Sequence, residues 1–377
     1  MKKIMVVLLC IVFAFAMIGC SNQTAATESA AASESAAPAA SAAQETEPAA
    51  SAASTEPAAS ASASETTKAF NPDTETDSIP YSELEAKYGP VPALQGDVTI
   101  GSILKNNANE FWLLLGDGMK KAGDKFGAKI DIQATRTETD TAGQLSIAET
   151  MLQNDYSALV LSPLTNDNLD SAVKTAVANG IPIVNCNCEY IADCDTFVGG
   201  LQIEIGRKAA DYIAEKIGEK GKVAIIEGVP GTFTSIQRVA GFQENIAKYS
   251  DIQVVASQPA NYEVEEGMNV AANIITQNPD IAAIYCCNDN MALGAVEALR
   301  SANLLGKVIV IGVDGTGDAY KSIKAGELTA TVDQFAEDSG YAAVEVALRI
   351  LGGQDIPKVV STPIEVVDKE KAAEMGK

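Results

Sequence analysis

Beyond residue 97 the chain alternates short apolar runs with amphipathic stretches. Val98–Leu104 is apolar and rich in β-branched residues, which predicts a strand. From Asn109 to Phe126 the apolar positions Phe111, Leu114, Leu115, Met119 and Ala122 recur every three or four residues, which predicts a helix. The same reading places strands at 129–134, 158–162 and 181–185, with helices at 141–154 and 168–179. After Ile205 a second series follows, with strands at 223–227, 253–257, 281–286 and 308–313 and helices near 234–248, 263–277 and 290–303. Strands that are apolar throughout, with helices between them, belong to parallel sheets covered on both faces. Two sequential sets read better as two similar α/β lobes than as one very wide sheet. Ligands of open parallel sheets sit beyond the C-terminal ends of the strands, so facing lobes would share a site in the cleft between them.

The N-terminal quarter is different. Lys2 and Lys3 precede an apolar run from Ile4 to Ile18 that ends at Gly19-Cys20. A basic start, a short apolar stretch and a small residue before the cut read as a secretory signal. At about 15 residues the run is short for a membrane-spanning helix. Met17-Ile18-Gly19-Cys20 resembles the lipobox of bacterial lipoproteins, with Met17 where leucine is usual. That resemblance implies lipidation of Cys20, a membrane anchor on the extracytoplasmic face, and residues 1–20 as leader; a plainly secreted protein is the alternative. Thr24–Thr67 is almost entirely Ala, Ser, Thr, Glu and Pro, with no aromatic or aliphatic β-branched residue to offset the entropy of ordering. Residues 21–97 are therefore expected to form a disordered tether.

Charge and chemistry narrow the function. The net charge is −23, with 27 Lys and Arg against 50 Asp and Glu. No basic stripe appears, which argues against a nucleic-acid partner. The chain has no histidine, which removes Ser-His-Asp and Cys-His nucleophile schemes and His-ligated metals. A binding protein rather than an enzyme is expected, with no metal and no cofactor. No G-x-x-x-x-G-K-[ST] phosphate loop occurs, so the chain is not an ATPase. Cys186, Cys188, Cys194, Cys286 and Cys287 are an odd number and lack zinc-type spacing. They read chiefly as buried thiols, with a Cys188–Cys194 bridge as the sharper option.

Residues at the strand C-termini are rich in Asn, Asp and aromatics and poor in Lys. They include Asn106 to Trp112, Asn185–Glu189, Glu227–Thr232, Gln258–Tyr262, Asn288 to Asn290 and Asp314–Asp318. Amides and carboxylates pair with hydroxyls, and aromatic faces pack on C–H surfaces, which suits a neutral polyhydroxylated ligand. Trp112 could be a stacking platform or a core residue. Because Phe111 and Trp112 are adjacent, at most one is expected squarely on the helix's buried face. Asn288 could bind ligand or only cap a helix, and Arg238 with Asp314 could be no more than a surface ion pair.

Several segments, in this order, resemble the periplasmic-type sugar-binding proteins of the ribose-binding kind, the substrate receptors of ABC importers. They are Asn109-Glu-Phe-Trp112, Asp211-Tyr-Ile-Ala214, Gly231 to Phe242, Ala256 to Ala260, Asn288 to Gly294, Gly312 to Thr316 and Ala330 to Gln334. The resemblance implies two Rossmann-like lobes joined by a three-strand hinge, with crossings near 199–202, 334–336 and 362. Lobe one would be 98–200 plus 336–361, and lobe two 203–333 plus 362–377. It also implies ligand contacts at Asn109, Phe111, Trp112, Asn187, Arg238, Tyr262, Asn288, Asp314 and Gln334. Where the family usually presents an Asp-Arg pair, this chain has Asn187-Cys188, so ribose itself is not assumed. The implied partners are a small carbohydrate, a permease with its ATPase subunits, and the membrane through the anchor, with the receptor acting as a monomer by hinge closure. A receptor for a furanosyl signal molecule and a carbohydrate-active enzyme are the alternatives.

Overall fold

Each apolar run becomes a strand that helices cover on both sides. The computed structural model describes residues 70–377; Cys20 and the stretch 24–67 lie outside them. In chain order the first part comprises β1 (Ser78–Pro80), α1 (Tyr81–Tyr88), β2 (Thr99–Leu104), α2 (Glu110–Phe126), β3 (Lys129–Ala134), α3 (Thr141–Met151), β4 (Ala158–Leu161), α4 (Asp170–Ala178), β5 (Ile183–Cys186) and β6 (Thr196–Gly199). The second part comprises α5 (Gln202–Lys216), β7 (Lys220–Glu227), α6 (Phe233–Ile246), β8 (Asp251–Pro259), α7 (Val264–Gln277), β9 (Ile281–Cys286), α8 (Asp289–Ser301), β10 (Ile309–Asp314), α9 (Gly317–Ala325) and β11 (Ala330–Asp333). The chain closes with α10 (Ala336–Leu351), β12 (Val359–Ser361), β13 (Glu365–Asp368) and α11 (Lys369–Glu374).

Two sheets result. The first has the order β1-β12-β6-β5-β4-β2-β3 and is parallel throughout. The second has the order β13-β11-β10-β9-β7-β8 and is parallel except for β13, which pairs antiparallel with β11. The backbone passes between the sheets three times, from β6 to α5, from β11 to α10 and from β12 to β13. Lobe two has one continuous core, whereas lobe one has a separate core on each face of its sheet.

Helix ends follow local chemistry. Asn109 caps α2 by accepting from the Phe111 N–H at 3.0 Å, and Gly127 ends it in the left-handed conformation. Leu115, Met119 and Ala122 form its fully buried stripe. Three helix pairs cross through reciprocal glycines, Gly118/Gly340, Gly206/Gly241 and Gly267/Gly294. At each of these a Cβ would fall within 2.7 Å of a backbone atom of the partner helix.

The expected tether through residue 97 is too long. From residue 70 the chain is folded into lobe one: β1 adds a parallel edge strand to β12, and Ile79 and Leu84 are buried in a lobe-one core. Buried Arg349 donates to the Gly89 carbonyl at 2.9 Å, and Gln354 donates to that of Tyr88, which holds the end of α1. An edge strand with free hydrogen-bonding groups and an apolar groove over α10 outweigh the low strand propensity of this segment.

Asp73 in the same segment accepts from the Ile203 N–H at the start of α5, at 3.2 Å. Burial pushes its carboxyl up to about 6, with Glu204 adding to the rise and the α5 N–H groups and Arg207 opposing it. A carboxyl that titrates higher in the folded state stabilises most below its unfolded value and loses that contribution as pH rises through 6. Asp73→Asn is therefore expected to raise the melting temperature at pH 7.5, by on the order of 1–3 kcal/mol in stability. The gain should vanish by about pH 4. Melting curves of the two chains between pH 4 and 8 check this; a constant offset would remove Asp73 as its source.

Candidate functional site

The C-terminal ends of the strands in both sheets converge on one small cavity. Seven of the nine residues expected to contact ligand line it: Asn109, Phe111, Trp112, Arg238, Tyr262, Asn288 and Asp314. Lobe one supplies the first three from the start of α2, and lobe two supplies the rest. Phe111 and Trp112 are both 2% exposed, against the expectation that only one would be buried. The first turn of α2 lies between core and cleft, so both neighbours find cover, and they meet edge to face at 4.9 Å. The Trp112 indole N–H donates to Glu138 at 2.9 Å.

The other two stand one layer back. Asn187 takes a left-handed turn (φ 59°), and its Oδ1 accepts from the Cys188 N–H and from Gln202 Nε2. Gln334 donates to Asp314 Oδ1 at 2.9 Å and so holds a cavity carboxylate rather than facing the cavity. Asn288 lines the cavity and also caps α8 by accepting from the Met291 N–H.

Arg238 and Asp314 are not a surface pair. Both are almost fully buried and 3.9 Å apart. Arg238 donates through Nε to Gln202 Oε1 at 2.9 Å and through Nη1 to the Cys287 carbonyl. Burial pushes the Asp314 carboxyl well above its usual range, with Arg238 pulling the other way. Burial works against the Arg238 charge, but Tyr262 and Asp314 outweigh it, so Arg238 stays protonated. Asp314 also holds φ at 128°, and Asn187, Cys188, Tyr262 and Phe335 have positive φ as well. Backbone strain of this kind persists where surrounding structure enforces it, commonly at binding sites.

Four lining residues were missed: Lys105, Glu138, Cys188 and Thr234. Lys105 is the first residue after β2 and ion-pairs with buried Glu189. Burial alone would lower its ammonium, but Glu189, Cys188 and Glu138 raise it. Glu138 follows β3; burial pushes its carboxyl up, against Lys105 and the Trp112 N–H. The signal for both was available, because the loops after β2 and β3 lie at strand C-termini like the others. All five described cysteines are buried and unpaired, so the Cys188–Cys194 bridge does not form. Burial raises the Cys188 thiol to about 12, leaving it neutral.

The arrangement sets two buried cations, buried Asp314 and half-buried Glu138 around one small cavity. The Tyr262 hydroxyl and Thr234 Oγ1 are buried there without a protein partner. Groups that both donate and accept, as hydroxyls do, match such a lining without requiring net charge.

Comparison with known proteins agrees. Residues 100–355 match the periplasmic binding protein domain. The D-allose-binding periplasmic protein of Escherichia coli is 35% identical over 276 residues, covering 71% of this chain and 89% of that one. A ribose import binding protein of Bacillus subtilis is 37% identical over 272 residues, covering 72% and 87%. Among solved structures, an ABC transporter solute-binding protein from Actinobacillus succinogenes with bound D-allose is similar at TM-score 0.71 and 34% identity, covering 74% of this chain and 100% of that one. A solute-binding protein from Bacillus halodurans with bound myo-inositol is similar at TM-score 0.69 and 27% identity, covering 75% and 99%.

Proposed function

The chain belongs to the periplasmic binding protein family, and on that footing we propose that it is an extracytoplasmic sugar receptor of an ABC importer. It captures one small sugar or sugar alcohol between its lobes and presents the closed form to a permease. Asn109, Phe111, Trp112, Arg238, Tyr262, Asn288 and Asp314 contact the ligand, and Asn187 and Gln334 support them. No bond is made or broken. Cys20 carries the lipid anchor, and the receptor works as a monomer at the end of its Ala/Ser/Glu/Pro tether. Acyl chains add membrane affinity in proportion to their buried methylenes, so more than one chain at Cys20 gives stable anchoring.

The observation that carries this reading is the cavity itself, which draws hydrogen-bonding side chains and a stacking aromatic from both lobes. Ligand therefore joins the lobes, a hinge closure of known type. Trp112, the single tryptophan of the chain, reports on it directly. Titration with D-ribose, D-allose and myo-inositol is expected to give a saturable change in emission with at least one of them. The melting temperature should rise with the same ligand, because it binds only the folded state. Silence with all three, in emission and in melting, would defeat the assignment to this ligand class. Chemical change of the bound sugar on prolonged incubation would make the protein an enzyme. Metabolic labelling with palmitate tests the anchor, and label that survives Cys20→Ser would remove it.

A further inference from the structure

Lobe one carries no arginine at position 188, yet a cation still reaches the cavity from that lobe. It is Lys105, whose side chain is 3% exposed and which lines the cavity at the end of β2. Its ammonium is held by Glu189, whose side chain is fully buried in the loop between β5 and β6. Glu189 has a second partner, the Thr234 N–H at 3.2 Å. Thr234 lies in the first turn of α6, in the other lobe. One carboxylate thus orients a cavity cation and bridges the cleft at once.

Physical chemistry makes these two tasks dependent on each other. An ammonium has three donors; Glu189 occupies one, and the rest are free for acceptors in the cavity. The carboxylate gains from the unsatisfied N–H groups at a helix N-terminus only when α6 is against it. Opening the lobes breaks that bond and lets water reach the Lys105–Glu189 pair, whose attraction then weakens. We propose that Glu189 is the positioning residue that holds Lys105 in the cavity and, through Thr234, a latch that favours the closed lobes. This rests on the sugar-receptor reading above for its ligand, but the latch itself does not.

The test uses Glu189→Gln, which keeps the volume and an acceptor for Thr234, and Lys105→Met, which keeps the stem and lining. Whichever of D-ribose, D-allose and myo-inositol the wild-type chain binds is the probe. Each variant is expected to bind it about tenfold more weakly or worse, with faster dissociation. The double variant should be no worse than the weaker single, since the two act as one unit. A merely structural role would lower the melting temperature and leave both affinities within twofold of wild type; that result, or additive losses, overturns the proposal. Should the single variants not fold, Lys105→Met/Glu189→Met buries no unpaired charge and takes their place, with the same loss expected.

A second measurement needs no ligand. Spin labels at Leu113→Cys in α2 and Ile236→Cys in α6, both about half exposed, report lobe separation, and the five native thiols among the described residues are buried. Glu189→Gln is expected to deplete the short-distance population in the sugar-free protein. If no probe binds wild type, the sugar reading fails while this distance distribution still decides the latch; an unchanged distribution overturns it.

Discussion

Arg238→Ala is expected to weaken sugar binding by about 1.5–3 kcal/mol, the range for hydrogen bonds involving a charged group. That is roughly a 10- to 150-fold loss. Arg238 is 2% exposed and serves Gln202, the Cys287 carbonyl and Asp314. Its removal leaves buried acceptors unmatched and a carboxylate without its cation. Breaking a buried pair costs about 3–5 kcal/mol when the remaining charge is trapped. Asp314 has another way out, because burial already raises its carboxyl and it can take a proton instead. The variant's stability deficit should therefore shrink as pH falls, while its binding deficit persists. Calorimetry with the sugar that wild type binds, beside melting curves at pH 5 and 7.5, measures both. Unchanged affinity would take Arg238 out of the site.

Gly206→Ala is expected to destabilise lobe two strongly. A Cβ at Gly206 would lie 2.0 Å from the Arg238 carbonyl oxygen and 2.7 Å from the Phe242 nitrogen. Helix propensity favours alanine over glycine by about 1 kcal/mol. That gain loses here, because the obstacle is backbone and α6 must move away as a body. Overpacking costs about 1–3 kcal/mol, more where nothing can yield. For a unit of this size each kcal/mol lowers the melting temperature by roughly 2–4 °C. Since α6 carries Arg238 and Thr234, affinity should fall along with stability. Gly116→Ala is the control: it is also helical, its nearest neighbours are side-chain carbons 3.4 Å away, and it should be neutral or slightly stabilising. Equal melting temperatures for Gly206→Ala and wild type would mean that α5 and α6 do not cross as closely as described.

The alternation of apolar runs with 3.6-residue periodicity was sufficient for most of the fold. Strands β2 to β5 and β7 to β10 and helices α2 to α4 and α6 to α8 stand within a few residues of where the pattern places them. Local patterning suffices there because each element buries its own apolar face or stripe, whatever its neighbours are. Position at a strand C-terminus, together with the family segments, also carried seven of the nine expected contacts to the cavity.

What the pattern could not decide depends on partners distant in sequence. Residues 70–97 look like a tether until β12, some 280 positions later, offers an edge strand. Lys105 follows a strand C-terminus as the expected contacts do, but its ammonium is held in the cleft only by Glu189, 84 positions away. Gln334 looks like a contact until Asp314 takes its amide. The charge that enters the cavity is set by such long-range pairings, because a buried ion is tolerated only where tertiary structure supplies its counterpart. The sequence by itself determined two parallel-sheet lobes and a polar cleft between them; only the packed structure decided which charges line that cleft and which residues bridge it.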